Sequence, residues 1–472
     1  MEPISLQEVL KATGGRLVKG DAEGSITGVS TDSRTIKPGE LFVALIGDRF
    51  DGHDFIHQAA QKGARAAIVQ RELDKVPEGI DQVFEGMSII KVENTLVALQ
   101  RLAGYYRKKF DIPVVAVTGS TGKTTTKDMI YCVLSARYNV LKTEGNLNNE
   151  IGLPLTLFKI NRHHEIAVVE MGMSGFGEIH RMAEAAHPCV GVITNIGVSH
   201  IEKLGSRENI LRAKLEIFDY FPGNGVAVLN GDDDMLYGVK ERLPFGVKLF
   251  GMRESVDFRA VDINTGGSGT EFKLLSDDEK HPFELSLPGR HNVYNSLAAI
   301  AVGRLFGVSF REMRKALRAF RPGNMRLNIW EAERGIVVID DVYNASPDSM
   351  RAALSVLKDM PGERRIAVLG DMLELGDYAR EGHRQVGRAV VESGVDVLIT
   401  RGQDSRWIGM EAQAAGMPPS SIHHCSCNKD VINLLDTIVQ SGDTILVKGS
   451  RGMRMEEVVS HLLKGGYKPW EH

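Results

Sequence analysis

The chain has 472 residues, 43% hydrophobic and 25% charged, the proportions of ordinary globular protein, and the usual domain size predicts about three domains. A net charge of −4 provides no broad cationic surface for nucleic-acid phosphates, four cysteines make no disulfide framework at this length, and no apolar run reaches the ~18 residues that span a bilayer. The N-terminal MEPISLQEVLKATGG lacks a basic stretch ahead of an apolar core, so the expectation is a cytoplasmic protein with no nucleic-acid partner and no membrane insertion.

In chain order, the first ninety or so residues mix short strands and turns, as in SITGVSTDSRTIKPGELFVALIG, then give an apolar-periodic helix and the strand AAIVQ. That pattern predicts a small α/β domain over 1–92. TLVALQRLAGYYRKKF carries apolar residues at helical spacing and ends where Pro113 opens the strand VVAVTG, after which strand, glycine loop and helix follow one another. Buried-type strands at IAVVEMG, VGVITNIG and GVAVLNGD predict a mostly parallel sheet over 93–322, with an antiparallel hairpin turning at GGSG between Asp257 and Leu287. Beyond RPGNMRL, strands GIVVIDD, RIAVLGD, VDVLIT and TILVKGS alternate with helices, which predicts a doubly wound, Rossmann-like domain over 323–472. Asp340, Asp341, Gly370, Asp371, Lys448 and Ser450 follow these strands, at the sheet edge where open α/β sheets bind ligands. Cys132 and Cys189 read as buried small hydrophobes. The stretch His423, His424, Cys425, Cys427 has no second Cys/His pair at ligand spacing, so no metal is expected there.

Residues Thr118 to Thr126, TGSTGKTTT, follow a strand and open a helix. Gly119 and Gly122 let the N–H groups of Ser120, Thr121 and their neighbours turn around phosphate oxygens. Lys123 can then reach the outer phosphates, and the hydroxyls of Thr124 and Thr125 stand where a nucleotide and its Mg²⁺ would be held. Val117 occupies the place where the usual motif begins with glycine. Glu170 ends the strand IAVVE and is a carboxylate suited to Mg²⁺, the lesser reading from position alone being a helix cap. His200 in NIGVSHIE and Lys214 in AKLEIF read, taken singly, as a surface histidine and a solvated lysine.

Eight segments in order, TGSTGKTT, EGNLNNEIGLP, VVEMG, NIGVSHIEKLGS, AKLEIF, LPGRHNVYN, DDVYNASPDSM and KGSRGMRMEEVV, resemble the Mur ligases along essentially the whole chain. The resemblance implies three domains that bind a UDP-linked substrate, ATP and an incoming amine. It implies a two-step reaction in which ATP phosphorylates the substrate carboxylate and the amine attacks the acyl phosphate. It also gives roles to residues that carried none alone. Lys123, Glu170, His200 and Lys214 become catalytic, with Thr124, Glu170, His200 and a carbamoylated Lys214 around Mg²⁺. Asn292, Asn295, Arg326 and Asp341 join the loop as ATP contacts, although GNMR stands where many relatives carry PGR. Ser33, Arg34, Asn148 and Asn149 fall to the UDP-peptide, and Asn344, Lys448, Ser450 and Arg451 to the incoming group. GNLNNEIGLP and DDVYNASPDSM resemble the dipeptide-adding members, and the DNPR motif of the diamino-acid-adding members is absent, which implies UDP-N-acetylmuramoyl-tripeptide and D-alanyl-D-alanine as partners of a monomer. Three alternatives stay open: the member that adds the third residue, a folylpolyglutamate synthase, and a P-loop switch with no ligase chemistry.

Overall fold

A computed structural model describes residues 1–71, 86–266, 269–276, 279–323 and 325–470. These residues form two compact units. One comprises Met1–Thr118, Arg137–Gly191 and Leu215–Val226; the other comprises Gly119–Ala136, Val192–Lys214 and Ala227–His472.

In the first unit, short apolar runs bounded by turns pair into a five-stranded sheet ordered Arg16–Lys19, Ser88–Lys91, Ala66–Val69, Leu41–Val43, Val29–Ser30. The first of these runs antiparallel and the rest are parallel. Their buried side chains, with Ile36, Ile56 and Ala59, make a separate small core. Helix Thr95–Arg107 begins where Asn94 Oδ1 accepts the Val97 N–H, a side-chain cap for an otherwise unsatisfied donor. Its last turn carries Tyr106, which is fully buried; the hydroxyl accepts from Glu2 N–H at 2.7 Å and donates to Ile160 O at 2.6 Å. Strand β1 (Val114–Thr118) and strand β2 (Ile166–Glu170) are buried throughout and pair in parallel, with Glu170 opposite Val117. A strand buried on both faces has to be apolar at every position, which is why VVAVT and IAVV show no alternation.

The second unit opens with helix α1 (Lys123–Leu134), packed on helix α2 (Arg290–Leu305). Along α2, Asn292, Val293 and every residue from Asn295 to Gly303 are buried, so the helix has no wet stripe to generate an amphipathic pattern. The expected hairpin is a three-stranded meander: Phe258–Gly266 pairs antiparallel with Gly269–Ser276, which pairs with Glu279–Leu285. The GGSG turn lies partly outside the described residues, at 267–268, as does Asn324 of GNMR.

The C-terminal sheet has seven strands among the described residues, in the order Ile422–Cys425, Val397–Arg401, Arg365–Gly370, Thr444–Lys448, Val337–Asp341, Asn328–Ala332, Tyr467–Pro469. We label Val337–Asp341 β3, Arg365–Gly370 β4 and Thr444–Lys448 β5. The first five strands are parallel and the last two antiparallel. Apolar clusters cover both faces. Three of its strands are additional to the four expected; two lie at the edges, where pairing replaces the apolar signal. One is Ile422–Cys425, and strand alternation sends His423 and His424 to opposite faces, dispersing that stretch as a ligand set. Cys132 and Cys189 are half-buried rather than buried, and each thiol donates to a backbone carbonyl, Ala316 O at 3.2 Å and Val114 O at 3.6 Å. No helix among the described residues is long and apolar enough to cross a membrane.

Replacing Tyr106 by Phe leaves the Glu2 N–H and the Ile160 carbonyl unpaired in a dry site. The variant is expected to lose about 1–3 kcal/mol, read as a lowered urea midpoint with the slope unchanged.

Candidate active site

Within the second unit, the loop Gly119–Gly122 is held from behind by the residues after strand Val190–Ile193. Ser120 N–H donates to Asn195 O at 3.0 Å, and Thr121 N–H to Asn195 Oδ1 at 3.0 Å. The Asn195 amide donates to Thr121 Oγ1 at 2.9 Å, and Thr194 Oγ1 donates to Thr121 O at 2.6 Å. Gly197 N–H reaches Ser120 Oγ at 2.9 Å. With Ser120 and Thr121 engaged in this way, the part of the loop turned to a phosphate is the first turn of α1, Lys123 to Thr125, at the positive end of the helix dipole. Gly122, at φ 78°, is the helix cap, and Gly119 lies at φ 151°. A Cβ on Gly119 would fall 1.8 Å from Thr194 Oγ1, and one on Gly122 would fall 2.7 Å from Asn295 Oδ1. Both positions therefore demand glycine. Lys123 Nζ donates to Gly119 O at 2.8 Å, folded over the loop it serves.

Asn292 and Asn295 are buried, and their amides are turned to the protein. Asn295 Oδ1 accepts from Thr126 Oγ1 at 3.1 Å, Asn295 Nδ2 donates to Asn292 Oδ1 at 3.1 Å, and Asn292 Nδ2 to Pro288 O at 2.8 Å. They pin α2 to α1.

Lys214 is 1% exposed. Burial, and next the charge of Lys123, hold its ammonium well below the usual lysine range. His200, at φ 63°, places Nδ1 2.8 Å from Glu374 Oε2, and this hydrogen bond lowers the Glu374 carboxyl below its ordinary range.

At the carboxyl end of the C-terminal sheet, Asp341 and Lys448 stand opposite one another in register and their side chains meet at 2.5 Å. Lys448, 2% exposed, also donates to Asn344 O at 3.0 Å. Arg326 lies 4.0 Å over the Tyr343 ring. Ser450 Oγ accepts from Leu373 N–H at 2.9 Å, while Arg451 is exposed and pairs with Glu456 at 3.3 Å. His291, half-buried on α2, is held down to about 4 by burial, the nearby Asp341 and Lys448 charges opposing each other. Asp371 spends both oxygens capping the turn before helix Arg406–Ala414, on the N–H groups of Gln403 and Ser405.

Within the first unit, Glu170 is 1% exposed. Its Oε1 accepts from Asn148 Nδ2 at 2.7 Å, and its backbone N–H goes to Thr143 Oγ1. Oε2 is buried with no hydrogen-bond partner. A carboxylate oxygen left so is costly unless a cation meets it, which makes Glu170 a fitting Mg²⁺ ligand. Among the described residues no three His, Cys, Asp or Glu side chains stand together at metal-binding spacing. Asn149 Oδ1 accepts from the N–H groups of Ile151 and Gly152, a local helix-start role. Ser33 is buried on Gln58, and Arg34 is exposed against Asp32.

Residues 25–107, 117–303 and 325–451 match the models for the Mur ligase family catalytic domain, the Mur ligase middle domain and the Mur ligase glutamate ligase domain. A UDP-N-acetylmuramoyl-tripeptide–D-alanyl-D-alanine ligase of Bacillus subtilis is 39% identical over 93% of each chain. The chain belongs to the Mur ligase family. Among solved structures, MurF of Acinetobacter baumannii superposes with a TM-score of 0.89 at 33% identity over 98% of this chain and 99% of that one. MurF of Thermotoga maritima, solved in complex with ADP, gives 0.81 at 31% over 93% and 97%.

Four residues of this Mur ligase carry site geometry that sequence reading left without a role: Thr194, Asn195, His291 and Glu374. Asn195 has a visible signal, a polar residue directly after a buried strand. Glu374 lies in GDMLELG, a carboxylate in a glycine-bounded loop after a parallel strand. Gly119→Ala is expected to weaken ADP binding more than tenfold in a fluorescence titration with the far-ultraviolet spectrum unchanged, because the clash displaces the loop and not the sheet.

Proposed function

We propose that this Mur ligase joins D-alanyl-D-alanine to the peptide end of UDP-N-acetylmuramoyl-tripeptide at the expense of ATP, as a cytoplasmic monomer in peptidoglycan precursor synthesis. The full-length match at 39% identity to a ligase named for that reaction carries the substrate choice. The loop Gly119–Gly122, tied from behind by Asn195 at the start of α1, supports the nucleotide reading. We assign residues 1–92 to the UDP-substrate, 93–322 to ATP and 323–472 to the incoming dipeptide.

The chain's groups then divide the work. The first-turn N–H groups of α1 and the Lys123 ammonium bind the phosphates, so transfer needs little rearrangement of charge. Thr124, Glu170 and His200 would hold Mg²⁺, which when bound offsets the repulsion between the peptide carboxylate and the γ-phosphate. Asn148, fixed on Glu170, aligns that carboxylate and is placed to meet the peptide. Asn295 and Asn292 act from behind, keeping α1 in position, and Ser120 and Thr121 shape the loop rather than grip the phosphates. Arg326 and Asp341 face the nucleotide; Asn344, Lys448, Ser450 and Arg451 form the dipeptide end; Ser33 and Arg34 serve the UDP end. The amine of the dipeptide attacks the acyl phosphate, forming the C–N bond as phosphate leaves with the C–O electron pair.

The decisive assay is phosphate release with ATP and defined amines. UDP-tripeptide with D-alanyl-D-alanine is expected to drive it, and glutamate or a diamino acid is not. Release driven by a diamino acid on the UDP-dipeptide would reassign the step.

Burial and a neighbouring cation make the Lys214 amine easier to deprotonate, hence a better nucleophile for CO₂, and a carbamate there would carry the negative charge that Mg²⁺ favours, the amine proton passing to solvent. Lys214→Ala is therefore expected to lose most activity, with partial return when acetate fills the vacated space. Failure of acetate, together with wild-type indifference to bicarbonate removal, would assign Lys214 to the phosphates as a plain cation.

A further inference from the structure

His200 sits on the strap that holds the phosphate loop. One residue earlier, Ser199 Oγ donates to Ser120 O at 3.3 Å, and Gly197 N–H donates to Ser120 Oγ. Its ion-pair partner comes from the loop after β4. There Met372 N–H donates to His383 Nε2 at 3.0 Å, Leu373 N–H to Ser450 Oγ at 2.9 Å, and Ser450 N–H to Asp371 O at 3.1 Å. The next residue is Glu374.

Three observations set this pair apart from an ordinary surface contact. His200 and Glu374 both occupy the left-handed region, at φ 63° and 64°, where a residue with a Cβ is strained and has to be held by its surroundings. The two loops interlock, since a Cβ on Gly376, at φ 52°, would meet Glu202 Cγ at 2.9 Å. The Glu374 side chain is 62% exposed and that of His200 24%, and a pair so wet adds little to stability. What it does supply is orientation. A carboxylate on Nδ1 holds the proton there and leaves Nε2, with its lone pair, as the ring nitrogen that can coordinate.

We propose that Glu374 is the positioning residue for His200, fixing the imidazole tautomer and rotamer for the divalent cation of the phosphoryl-transfer site. This rests on the reading that His200 holds that cation. The consequence is a metal ligand set up by the loop that also grips Ser450, so the two ends of the ligation site share one support.

The test uses the full-length enzyme with ADP and Mn²⁺, the ion being followed by its paramagnetic resonance signal, so that turnover is not the readout. Glu374→Ala is expected to weaken Mn²⁺ binding about tenfold, the usual effect of losing a carboxylate behind a ligating histidine, while metal-free ADP affinity stays unchanged. Glu374→Gln keeps an acceptor oxygen in place and is expected to recover most of the loss. In a His200→Ala background, Glu374→Ala is expected to add nothing. Unchanged Mn²⁺ affinity in Glu374→Ala with a loss in His200→Ala would overturn the positioning role alone. No loss in His200→Ala would overturn the cation reading and the inference with it. Additive losses, or a parallel fall in metal-free ADP affinity, would show Glu374 acting other than through His200.

Discussion

Everything in the nucleotide site depends on the hydrogen bonds of Asn195. Its carbonyl and side-chain oxygen take the N–H groups of Ser120 and Thr121, and its amide returns to Thr121 Oγ1. A loop whose N–H groups must converge on an anion gains nothing from flexibility, because ordering it on binding would cost conformational entropy. Asn195 removes that cost in advance. It does so from the residues that run on to Ser199 and His200, so the support of the loop and the placement of the histidine are one structural feature. The glycine requirement follows from the same crowding: Thr194 and Asn295 fill the space a Cβ would need at Gly119 and Gly122.

The second theme is charge kept out of water without a full complement of partners. Glu170 Oε2 is buried and unmet, and Lys214 is buried with its ammonium disfavoured. Stability alone would remove such groups, since each costs free energy in the folded state. The function proposed above gives each a use, a cation for Glu170 and a modified amine for Lys214. Lys448 shows the opposite treatment. It is equally buried yet fully occupied, by Asp341 and by Asn344 O.

Much of this was legible in the chain. The strand, glycine loop and helix at Thr118–Thr126 announce themselves because Gly and Lys at fixed offsets have a mechanical reason to be there. Continuous apolar runs mark the buried parallel strands for the same kind of reason. Edge strands Ile422–Cys425 and Tyr467–Pro469 were not legible, because half their surface is wet and their pairing lies in the backbone. Asn292 and Asn295 show the limit of motif reading at the site. LPGRHNVYN suggests them as ATP contacts, but whether an amide faces ligand or protein depends on Thr126 and Pro288, which no local pattern reveals. Glu374 was missed because its partner is remote in sequence and belongs to another strand's loop.

Lys448 and Arg451, both taken from KGSRG as cations for the incoming dipeptide, are physically different. A lysine 2% exposed with an ion pair at 2.5 Å and a second acceptor at 3.0 Å cannot turn to a new carboxylate without stranding Asp341 in a buried site. It holds β3 and β5 together at their ligand-facing ends and keeps the Asn344 carbonyl fixed. Arg451 has a side chain 56% exposed and a single longer ion pair, at 3.3 Å to Glu456. A guanidinium in that state keeps donors free in water and can take a second carboxylate bidentately while its pairing with the half-buried Glu456 persists. On the proposed assignment the two cations therefore divide the work along the motif, the buried one shaping the sheet edge and the exposed one being the group available to an incoming charge.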